Sequence, residues 1–313
     1  MTILLSVTGF DPDRWRGALQ AADPAASIVL APAHAADESI RYAVVWKQPP
    51  GLLSTLPNLR AIFSLGAGVD HILKDGTLPD VPILRIVADD LTNRMSEYVV
   101  WRVLDHFRKG AAYRQAQARR EWVDWPQPAA RDVTVGVMGL GELGRDAARK
   151  LAALGFAVTG WSRSGRPVEG LTVHGGEAGL KRFLAETDIL VVLLPLTPET
   201  AGLIDETLLS GLKRRTPLGG PVLINAGRGG LQDEAAILGA LEAGTLMEAS
   251  LDVFQREPLP DDSPLWRHPA VFVTPHAAAL SDPDALAPTV MAQIAAIERG
   301  EMPSNRVDRA AGY

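Results

Sequence analysis

One glycine-rich turn constrains the fold of this chain more than any other feature. The apolar stretch Val133–Met138 leads directly into Gly139, Gly141 and Gly144, and the residues that follow have the composition of a helix. In this spacing one glycine permits a tight turn, a second lets the backbone approach a pyrophosphate, and the third allows close packing of helix on strand. The helix N-terminus offers unpaired N–H groups to the phosphates. The turn therefore predicts a dinucleotide site containing Gly139, Gly141, Glu142 and Leu143.

The end of the next predicted strand indicates which dinucleotide binds. About 20 residues beyond such a turn, a site for NAD carries an Asp or Glu that bonds the ribose 2′-hydroxyl. This chain has Ser162, Arg163 and Arg166 there and no acid. Arg163 can form a charge-assisted pair with a 2′-phosphate, and Ser162 can donate a hydrogen bond. The sequence predicts NADPH as cofactor, with NADH the weaker candidate; a solvated basic loop is the alternative interpretation.

Short apolar segments alternate with helical segments along most of the chain. The first series predicts strands at Thr2–Val7, Tyr42–Trp46, Ala61–Leu65 and Ile83–Val87, with a helix at Asp11–Ala21. The second predicts six strands, at Val133–Met138, Ala157–Gly160, Asp188–Leu194, Pro221–Asn225, Ala249–Val253 and Val271–Thr274, with helices at Glu142–Leu154 and Asp233–Ala243. Such βαβ spacing is typical of doubly wound parallel sheets. We expect an α/β fold with two Rossmann-like parallel-sheet domains.

Two further helices decide the domain organisation. One is predicted over Thr92–Lys109, capped by Thr92 or Asn93, with an apolar stripe at Val99, Val103 and Phe107. The other, over Pro283–Arg299, follows the last predicted strand and is expected to pack back on the N-terminal domain. We therefore expect a discontinuous substrate domain, residues 1–98 plus 284–313, and a dinucleotide-binding domain, residues 99–283, with a helical arm over residues 99–128.

Composition argues against several classes of protein. Acidic residues outnumber basic ones, 37 to 31, for a net charge of −6, which argues against nucleic-acid binding. The chain has no cysteine, so disulfides, thiolate nucleophiles and zinc–thiolate sites are excluded, and no metal is expected. No apolar run approaches the ~18 residues of a membrane span, and the N-terminus lacks the basic region of a signal peptide. A cytoplasmic enzyme without membrane contact is expected.

Three later segments place polar residues just after predicted strands, where an open α/β sheet binds its ligand. They contain Arg228 in I-N-A-G-R-G-G, Asp252 and Glu257 in L-D-V-F-Q-R-E-P, and His276 in V-T-P-H-A-A-A. In form and order these segments resemble the D-2-hydroxyacid dehydrogenase family, in its glyoxylate/hydroxypyruvate reductase branch. The resemblance spans nearly the whole chain. It implies that Arg228, Glu257 and His276 are catalytic and that the active site lies in a cleft between the two domains.

The chemistry of these side chains fits reduction of a 2-keto acid, which needs a hydride at C2, a proton on the keto oxygen and a cation for the carboxylate. Arg228 offers a permanently charged planar fork to the substrate. His276 can donate a proton near neutral pH, and Glu257 can hydrogen-bond the imidazole and favour its protonated form. The expected function is NADPH-dependent reduction of small 2-keto acids, glyoxylate to glycolate and hydroxypyruvate to D-glycerate. The structural alternatives are a surface arginine, a turn-capping glutamate and a buried histidine.

The resemblance also implies further contacts. It places Leu194 and Pro195 beside the adenosine half of the cofactor, Ala226 near the nicotinamide ribose, and Asp252 as acceptor from the carboxamide. Backbone N–H groups of the loop Ser64–Asp70 can form an anion-binding nest, and the family implies that Ala67 and Gly68 contact the substrate carboxylate. Trp46 is similarly placed to a tryptophan that lines the substrate pocket in the reductase branch. A plain turn and ordinary core packing are the alternatives.

Other interpretations stay open. The chain can be another D-2-hydroxyacid dehydrogenase, of the D-lactate or D-phosphoglycerate type, or a dinucleotide-sensing binding protein without catalysis. Family members are commonly dimers, so a homodimer is expected, with Ala111–Trp125 as the exchanged arm. The remaining histidines, at positions 34, 71, 106, 174 and 268, lack comparable neighbours in the sequence and are interpreted as structural or solvated. The segment Gly211–Pro221 has no assigned role.

Overall fold

The computed structural model describes residues 1–32, 37–280 and 282–313, and the chain divides into two compact units. Unit 1 consists of Met1–Leu91 and Ser281–Tyr313, and unit 2 consists of Thr92–Leu280. His34 lies outside the described residues. Each unit is built on its own parallel sheet, which confirms the predicted α/β class with two parallel-sheet domains.

The regular elements alternate as βα units over most of the chain. The strands are β1 Thr2–Val7, β2 Ser27–Leu30, β3 Ile40–Trp46, β4 Ala61–Ser64, β5 Ile83–Leu84, β6 Thr134–Met138, β7 Ala157–Ser162, β8 Thr172–Gly175, β9 Ile189–Val192, β10 Val222–Asn225, β11 Glu248–Leu251 and β12 Val271–Val273. The helices are α1 Pro12–Ala22, α2 Asp70–Leu73, α3 Asp89–Phe107, α4 Gly110–Arg119, α5 Glu142–Ala153, α6 Gly176–Glu186, α7 Glu206–Ser210, α8 Glu234–Glu242 and α9 Pro283–Glu298.

Unit 1 is a five-stranded sheet in the order β2-β1-β3-β4-β5, in which all neighbours are parallel. Its first helix begins where Asp11 accepts hydrogen bonds from two backbone N–H groups and Pro12 occupies the first turn, a favourable helix start. Helix α9 packs on α1, and Arg14 pairs with Asp282 at 3.4 Å and with Asp284 at 3.0 Å. Both ends of the chain therefore contribute to one unit.

Unit 2 is a seven-stranded sheet in the order β12-β11-β10-β9-β6-β7-β8, again with every neighbouring pair parallel. The chain winds from β6 towards β8 and then returns to β9 on the other side of β6. Such a reversal of strand order is the point beside which open α/β sheets bind ligands. Because the strands are parallel, the residues after β6, β7, β9, β10, β11 and β12 all lie at one edge of the sheet.

The structure differs from the sequence predictions in some elements. The second sheet has seven strands where six were predicted, because β8 was missed; β2 was missed in the first sheet. Helix α3 begins at Asp89, so the predicted caps Thr92 and Asn93 are wrong. Asp89 and Asp90 occupy its first turn instead, where carboxylates interact favourably with the helix dipole. No helix in the described ranges is long and apolar enough to cross a membrane.

The segment Gly211–Pro221, which leads into β10, is held in place by the contacts of Lys213. The Lys213 ammonium lies 2.9 Å from the Asp188 carboxylate, which is fully buried, and the Lys213 backbone N–H donates to the Leu184 carbonyl. The other Asp188 oxygen accepts from Thr134 N–H at the start of β6. This network lies at the amino-terminal edge of the sheet, opposite the strand ends that carry the candidate site residues.

Candidate functional site

The glycine turn after β6 has the geometry that a bound pyrophosphate requires. Gly139 has φ +104°, a backbone conformation that L side chains rarely adopt, and a Cβ on Gly144 would lie 1.8 Å from the Gly139 carbonyl oxygen. Both positions therefore require glycine. A Cβ on Gly141, the N-cap of α5, would meet nothing within 4 Å, so a ligand has open approach to the first turn of α5. Of the predicted contacts there, Glu142 and Leu143 begin this helix.

The residues predicted to contact the adenosine half follow the neighbouring strands. Ser162 is the last residue of β7 and Arg163 follows it, exposed. Leu194 and Pro195 lie two and three residues after the end of β9, and the Pro195 carbonyl accepts a hydrogen bond from the Thr200 hydroxyl. The glycine turn after β6, the arginine after β7 and the loop after β9 thus occupy strand ends at one edge, as a dinucleotide would need them.

Arg228 lies in a loop held by two buried amide side chains. Asn225, the last residue of β10, donates from Nδ2 to the Arg228 carbonyl at 3.2 Å and to Gln232 Oε1 at 2.8 Å. Gln232 in turn donates to the Val253 carbonyl after β11 at 2.9 Å, and both amides are fully buried. Ala226, between Asn225 and Arg228, is buried and donates its N–H to Val192. The loop is therefore anchored to both neighbouring strands.

His276 and Glu257 form an imidazole–carboxylate pair. The His276 Nδ1 lies 2.9 Å from Glu257 Oε2 and 3.1 Å from Oε1, and both side chains are partly exposed. Glu257 Oε1 also accepts from the Phe254 backbone N–H at 3.3 Å. Contact through Nδ1 leaves Nε2 as the nitrogen available to a substrate. In this arrangement a protonated imidazole can donate its Nε2 proton, and the neighbouring carboxylate favours protonation of the ring again afterwards.

Asp252 anchors the loop that carries His276. Its carboxylate accepts from the Thr274 hydroxyl, Ala277 N–H and Ala278 N–H at 2.7–3.0 Å, and the residue is 1% exposed. A carboxylate has about four acceptor positions, and bonds from described residues fill two on Oδ1 and one on Oδ2. The predicted bond from a carboxamide would add to these three.

The predicted substrate residues of unit 1 lie together at the ends of β3 and β4. The Trp46 ring packs on His71, with ring centroids 4.6 Å apart, and on Phe10 at 5.8 Å. A Cβ on Gly66 would lie 2.4 Å from the Trp46 ring, so the indole rests directly on the loop that contains Ala67 and Gly68. The Ser64 hydroxyl donates to the Gly68 carbonyl at 2.9 Å and shapes that loop.

Sequence reasoning missed several contributors to these sites. His71 packs against Trp46, and two other histidines have carboxylate partners that the sequence did not indicate: His106 contacts Glu248, and His174 contacts Glu186. Thr274 and Tyr98, which support the His276 loop, also went unnoticed. A signal for the residue that anchors the loop was present in and just after β11, where polar Glu248, Ser250 and Asp252 alternate with apolar residues. Among the described residues, no group of three or more His, Asp or Glu side chains could hold a metal ion.

The fold of unit 2 and its turn define the class of doubly wound dinucleotide-binding proteins, and comparisons with known proteins agree. Residues 100–278 match the model of the family described as D-isomer specific 2-hydroxyacid dehydrogenase, NAD binding domain. A glyoxylate/hydroxypyruvate reductase A of Serratia proteamaculans (strain 568) is 39% identical over 319 aligned residues that cover 100% of both chains. The chain belongs to the D-isomer specific 2-hydroxyacid dehydrogenase family.

Solved structures of similar proteins extend this result to both units. An NADPH-dependent glyoxylate/hydroxypyruvate reductase from Sinorhizobium meliloti, in complex with NADP and sulfate, is 50% identical with a TM-score of 0.94, covering 100% of this chain and 99% of that one. A D-isomer specific 2-hydroxyacid dehydrogenase from Xanthobacter autotrophicus Py2, in complex with NADPH and MES, is 41% identical with a TM-score of 0.93, covering 99% of each chain.

Proposed function

We propose that this protein reduces small 2-keto acids with NADPH, converting glyoxylate to glycolate and hydroxypyruvate to D-glycerate. The observation that carries the proposal is the His276–Glu257 pair at the same sheet edge as the glycine turn after β6. The names of the similar proteins support the substrate class, and the complexes of two of them with NADP or NADPH support the cofactor.

Each side chain has one task in the proposed reaction. A bound nicotinamide would supply the hydride for C2 of the keto acid. His276 donates a proton from Nε2 to the keto oxygen, while Glu257 holds the ring through Nδ1 and stabilises the imidazolium. Arg228 pairs with the substrate carboxylate and polarises the keto group.

Unit 1 supplies the proposed contacts to the rest of the substrate. Backbone N–H groups of Ala67 and Gly68 bind the carboxylate, and Trp46 limits the size of the group at C3. The packing of Trp46 against Gly66 and His71 supports this proposal because it holds the ring beside the proposed carboxylate-binding loop. A larger residue at position 66 would displace the indole.

The cofactor contacts form the second part of the proposal. The backbone of Gly139, Gly141, Glu142 and Leu143 binds the pyrophosphate, and Ser162 and Arg163 bind the 2′-phosphate. Leu194 and Pro195 contact the adenosine half, Ala226 lies near the nicotinamide ribose, and Asp252 accepts from the carboxamide. The open approach at Gly141 and the position of the Asp252 carboxylate directly after β11, at the same edge of the sheet, support this assignment.

The decisive experiment compares His276→Ala with the purified wild type. We expect the variant to lose about 10²–10⁴-fold in kcat for NADPH oxidation with glyoxylate or hydroxypyruvate, while NADPH quenches protein fluorescence at the same concentrations. His268→Ala is the matched control, because His268 lies before β12 and His276 lies after it. Undiminished turnover in His276→Ala would refute the mechanism. Failure of the wild type to oxidise NADPH or NADH with either keto acid would favour a dinucleotide-sensing binding protein.

We also propose that the protein is a homodimer formed through unit 2. Trp101, Tyr113 and Trp122 expose large aromatic surface, and Trp122 is fully exposed. Large exposed aromatic side chains become buried when such a surface pairs with a second copy of the chain. Tyr113 packs edge-on against Trp125 at 4.8 Å, which ties the segment after α4 to that helix. A monomeric mass in light scattering would contradict the proposal. A cytoplasmic location stays a prediction from the sequence.

A further inference from the structure

The loop that carries His276 is held in an unusual conformation. His276 has φ +54°, in the left-handed region that a residue with a side chain seldom adopts. Such a conformation costs free energy and persists only where the surroundings over-determine it. The His276 backbone N–H donates to the Asp252 carbonyl at 2.7 Å and to the Thr274 carbonyl at 3.0 Å. Asp252 is therefore bonded to the loop through both its backbone and its side chain.

A chain of hydroxyl groups runs from Asp252 into helix α3. The Thr274 hydroxyl donates to Asp252 Oδ1 at 2.7 Å, and Tyr98 Oη lies 2.8 Å from Thr274 Oγ1. A threonine hydroxyl has one hydrogen. Because that hydrogen is committed to the carboxylate, Tyr98 must be the donor to Thr274.

The protonation state of the Tyr98 phenol agrees with its assignment as the hydrogen-bond donor. Tyr98 is buried, and burial, together with the nearby charge of Asp252, raises the pKa of its phenol to about 12. The phenol therefore keeps its proton over the whole range in which an enzyme of this kind operates. The donor and the acceptor of both hydrogen bonds are therefore assigned: Tyr98 donates to Thr274, and Thr274 donates to Asp252.

We propose that Tyr98 and Thr274 are positioning residues that fix the His276 imidazole by orienting the Asp252 carboxylate and, through it, the backbone of Ala277 and Ala278. The inference rests on the proposed function in one respect, namely that His276 is the proton donor. Neither Tyr98 nor Thr274 is required to touch the substrate. Their effect on the reaction passes through the angle and distance at which the imidazole is presented.

Thr274→Val and Thr274→Ser form the test pair. Valine keeps the shape of threonine and removes the hydroxyl, whereas serine keeps the hydroxyl. We expect Thr274→Val to lower kcat by roughly 10–100-fold, because a displacement of about 1 Å can cost a reaction about 100-fold. The KM for glyoxylate is expected to stay near the wild-type value, and the fluorescence titration with NADPH measures separately any weakening of the proposed bond from the carboxamide to Asp252. Thr274→Ser is expected to restore most of kcat, and Tyr98→Phe to lose less than Thr274→Val because the bond from Thr274 to Asp252 remains.

Ser250→Ala controls for a purely structural effect. Ser250 lies on β11 two residues before Asp252, is fully buried, and bonds to Arg102 and His106 of the same helix α3. Its loss should lower the melting temperature and leave kcat unchanged at temperatures well below melting. If Ser250→Ala and Thr274→Val lower kcat equally, or if both leave it unchanged, the positioning proposal is wrong.

A double-mutant cycle separates this proposal from the proposed function. In the His276→Ala background a residue that acts through His276 has nothing left to position, so Thr274→Val should cause no further loss in kcat. Additive losses would overturn the positioning role. Should Thr274→Val fail to fold, Tyr98→Phe takes its place in the cycle. If His276→Ala itself keeps full activity the proposed function fails, whereas an inactive His276→Ala with a fully active Thr274→Val refutes only the positioning proposal.

Discussion

Arg163, which follows β7, and Glu199, in the loop after β9, carry opposite charges that interact. Arg163 stands where a site for NAD carries an acid, so the local charge favours a 2′-phosphate over a 2′-hydroxyl. Glu199, in the loop after β9, has a pKa lowered mainly by hydrogen bonds with Thr197 and its own backbone, with a smaller contribution from Arg163. The proposed preference for NADPH therefore depends on how much more strongly Arg163 interacts with a 2′-phosphate than with the Glu199 carboxylate.

Replacing Arg163 with alanine should therefore change cofactor choice more than catalysis. We expect Arg163→Ala to lower kcat/KM for NADPH by about 10–100-fold, the equivalent of one or two charged hydrogen bonds, and to leave kcat/KM for NADH within about threefold. Steady-state assays with both cofactors at fixed glyoxylate measure this. Arg166→Ala, three residues further along the same loop, is the control and should affect NADPH less. An equal loss with both cofactors would place the 2′-phosphate elsewhere.

Helix α3 presents two buried stripes, of which only one follows the usual apolar pattern. Val99, Val103 and Phe107 are buried, as the sequence predicted. One residue earlier in each turn, Tyr98, Arg102 and His106 are also buried and bond to polar groups on or after β11 and β12. Arg102 additionally stacks on the Phe272 ring at 3.7 Å. Arg and His seldom lie inside a protein unless they are paired, so no apolar pattern in the sequence marked this second stripe as buried.

Asp105, near the end of helix α3, makes a contribution to the free energy of unfolding that depends on pH. Arg114 bonds this carboxylate at 2.8 and 2.9 Å and the buried Arg102 at 3.1 Å. The Arg114 hydrogen bonds, with the charges of Arg102 and Arg114, lower the pKa of Asp105 below its ordinary value of 3.8. The unfolded chain therefore binds this proton more readily than the folded one. The stabilisation is complete above the ordinary pKa and is lost as the pH falls below it.

Asp105→Asn should destabilise the protein at neutral pH and matter less in acid. We expect the free energy of unfolding to fall by about 2 kcal/mol at neutral pH, the scale of a hydrogen bond to a charged group. The difference from wild type should shrink as the pH falls below the ordinary carboxyl pKa of 3.8 and the folded carboxylate in turn becomes protonated. Urea unfolding of both proteins across this range measures it. A difference that is constant with pH would mean that Asp105 acts through packing and not through its charge.

The strands that the sequence could predict are those whose side chains are buried. Strand β1 was predicted at its observed bounds, and the central strands were found within a few residues, because each is a buried apolar run. The missed strands, β2 and β8, are edge strands of their sheets and only partly buried, so they carry no continuous apolar signal. Similarly, Arg228, Glu257 and His276 are proposed from their motifs, whereas Thr274 and Tyr98 make contacts between distant segments that no local pattern records.

At the scale of the whole molecule, the two units differ in how the chain builds them. Unit 1 joins the first 91 residues to a segment that begins near residue 281. Its buried Tyr42 bonds to Glu298 at the end of α9, and Arg60 reaches the same carboxylate at 2.9 Å. Leu286, in the same helix, is fully buried. Unit 1 therefore depends on distant parts of the chain, whereas unit 2 is a single continuous segment.

The continuous segment should fold and bind cofactor by itself. A fragment from Asp89, where α3 begins, to Leu280 contains the whole seven-stranded sheet and every proposed cofactor contact. We expect it to show cooperative thermal unfolding by circular dichroism and to bind NADPH within about tenfold of the full chain, a difference of ~1.4 kcal/mol. It should not reduce glyoxylate, because the proposed contacts of Trp46, Ala67 and Gly68 are absent. A folded fragment that fails to bind NADPH would show that residues of unit 1 hold the cofactor, and a fragment that turns over glyoxylate would remove those residues from the proposed substrate site.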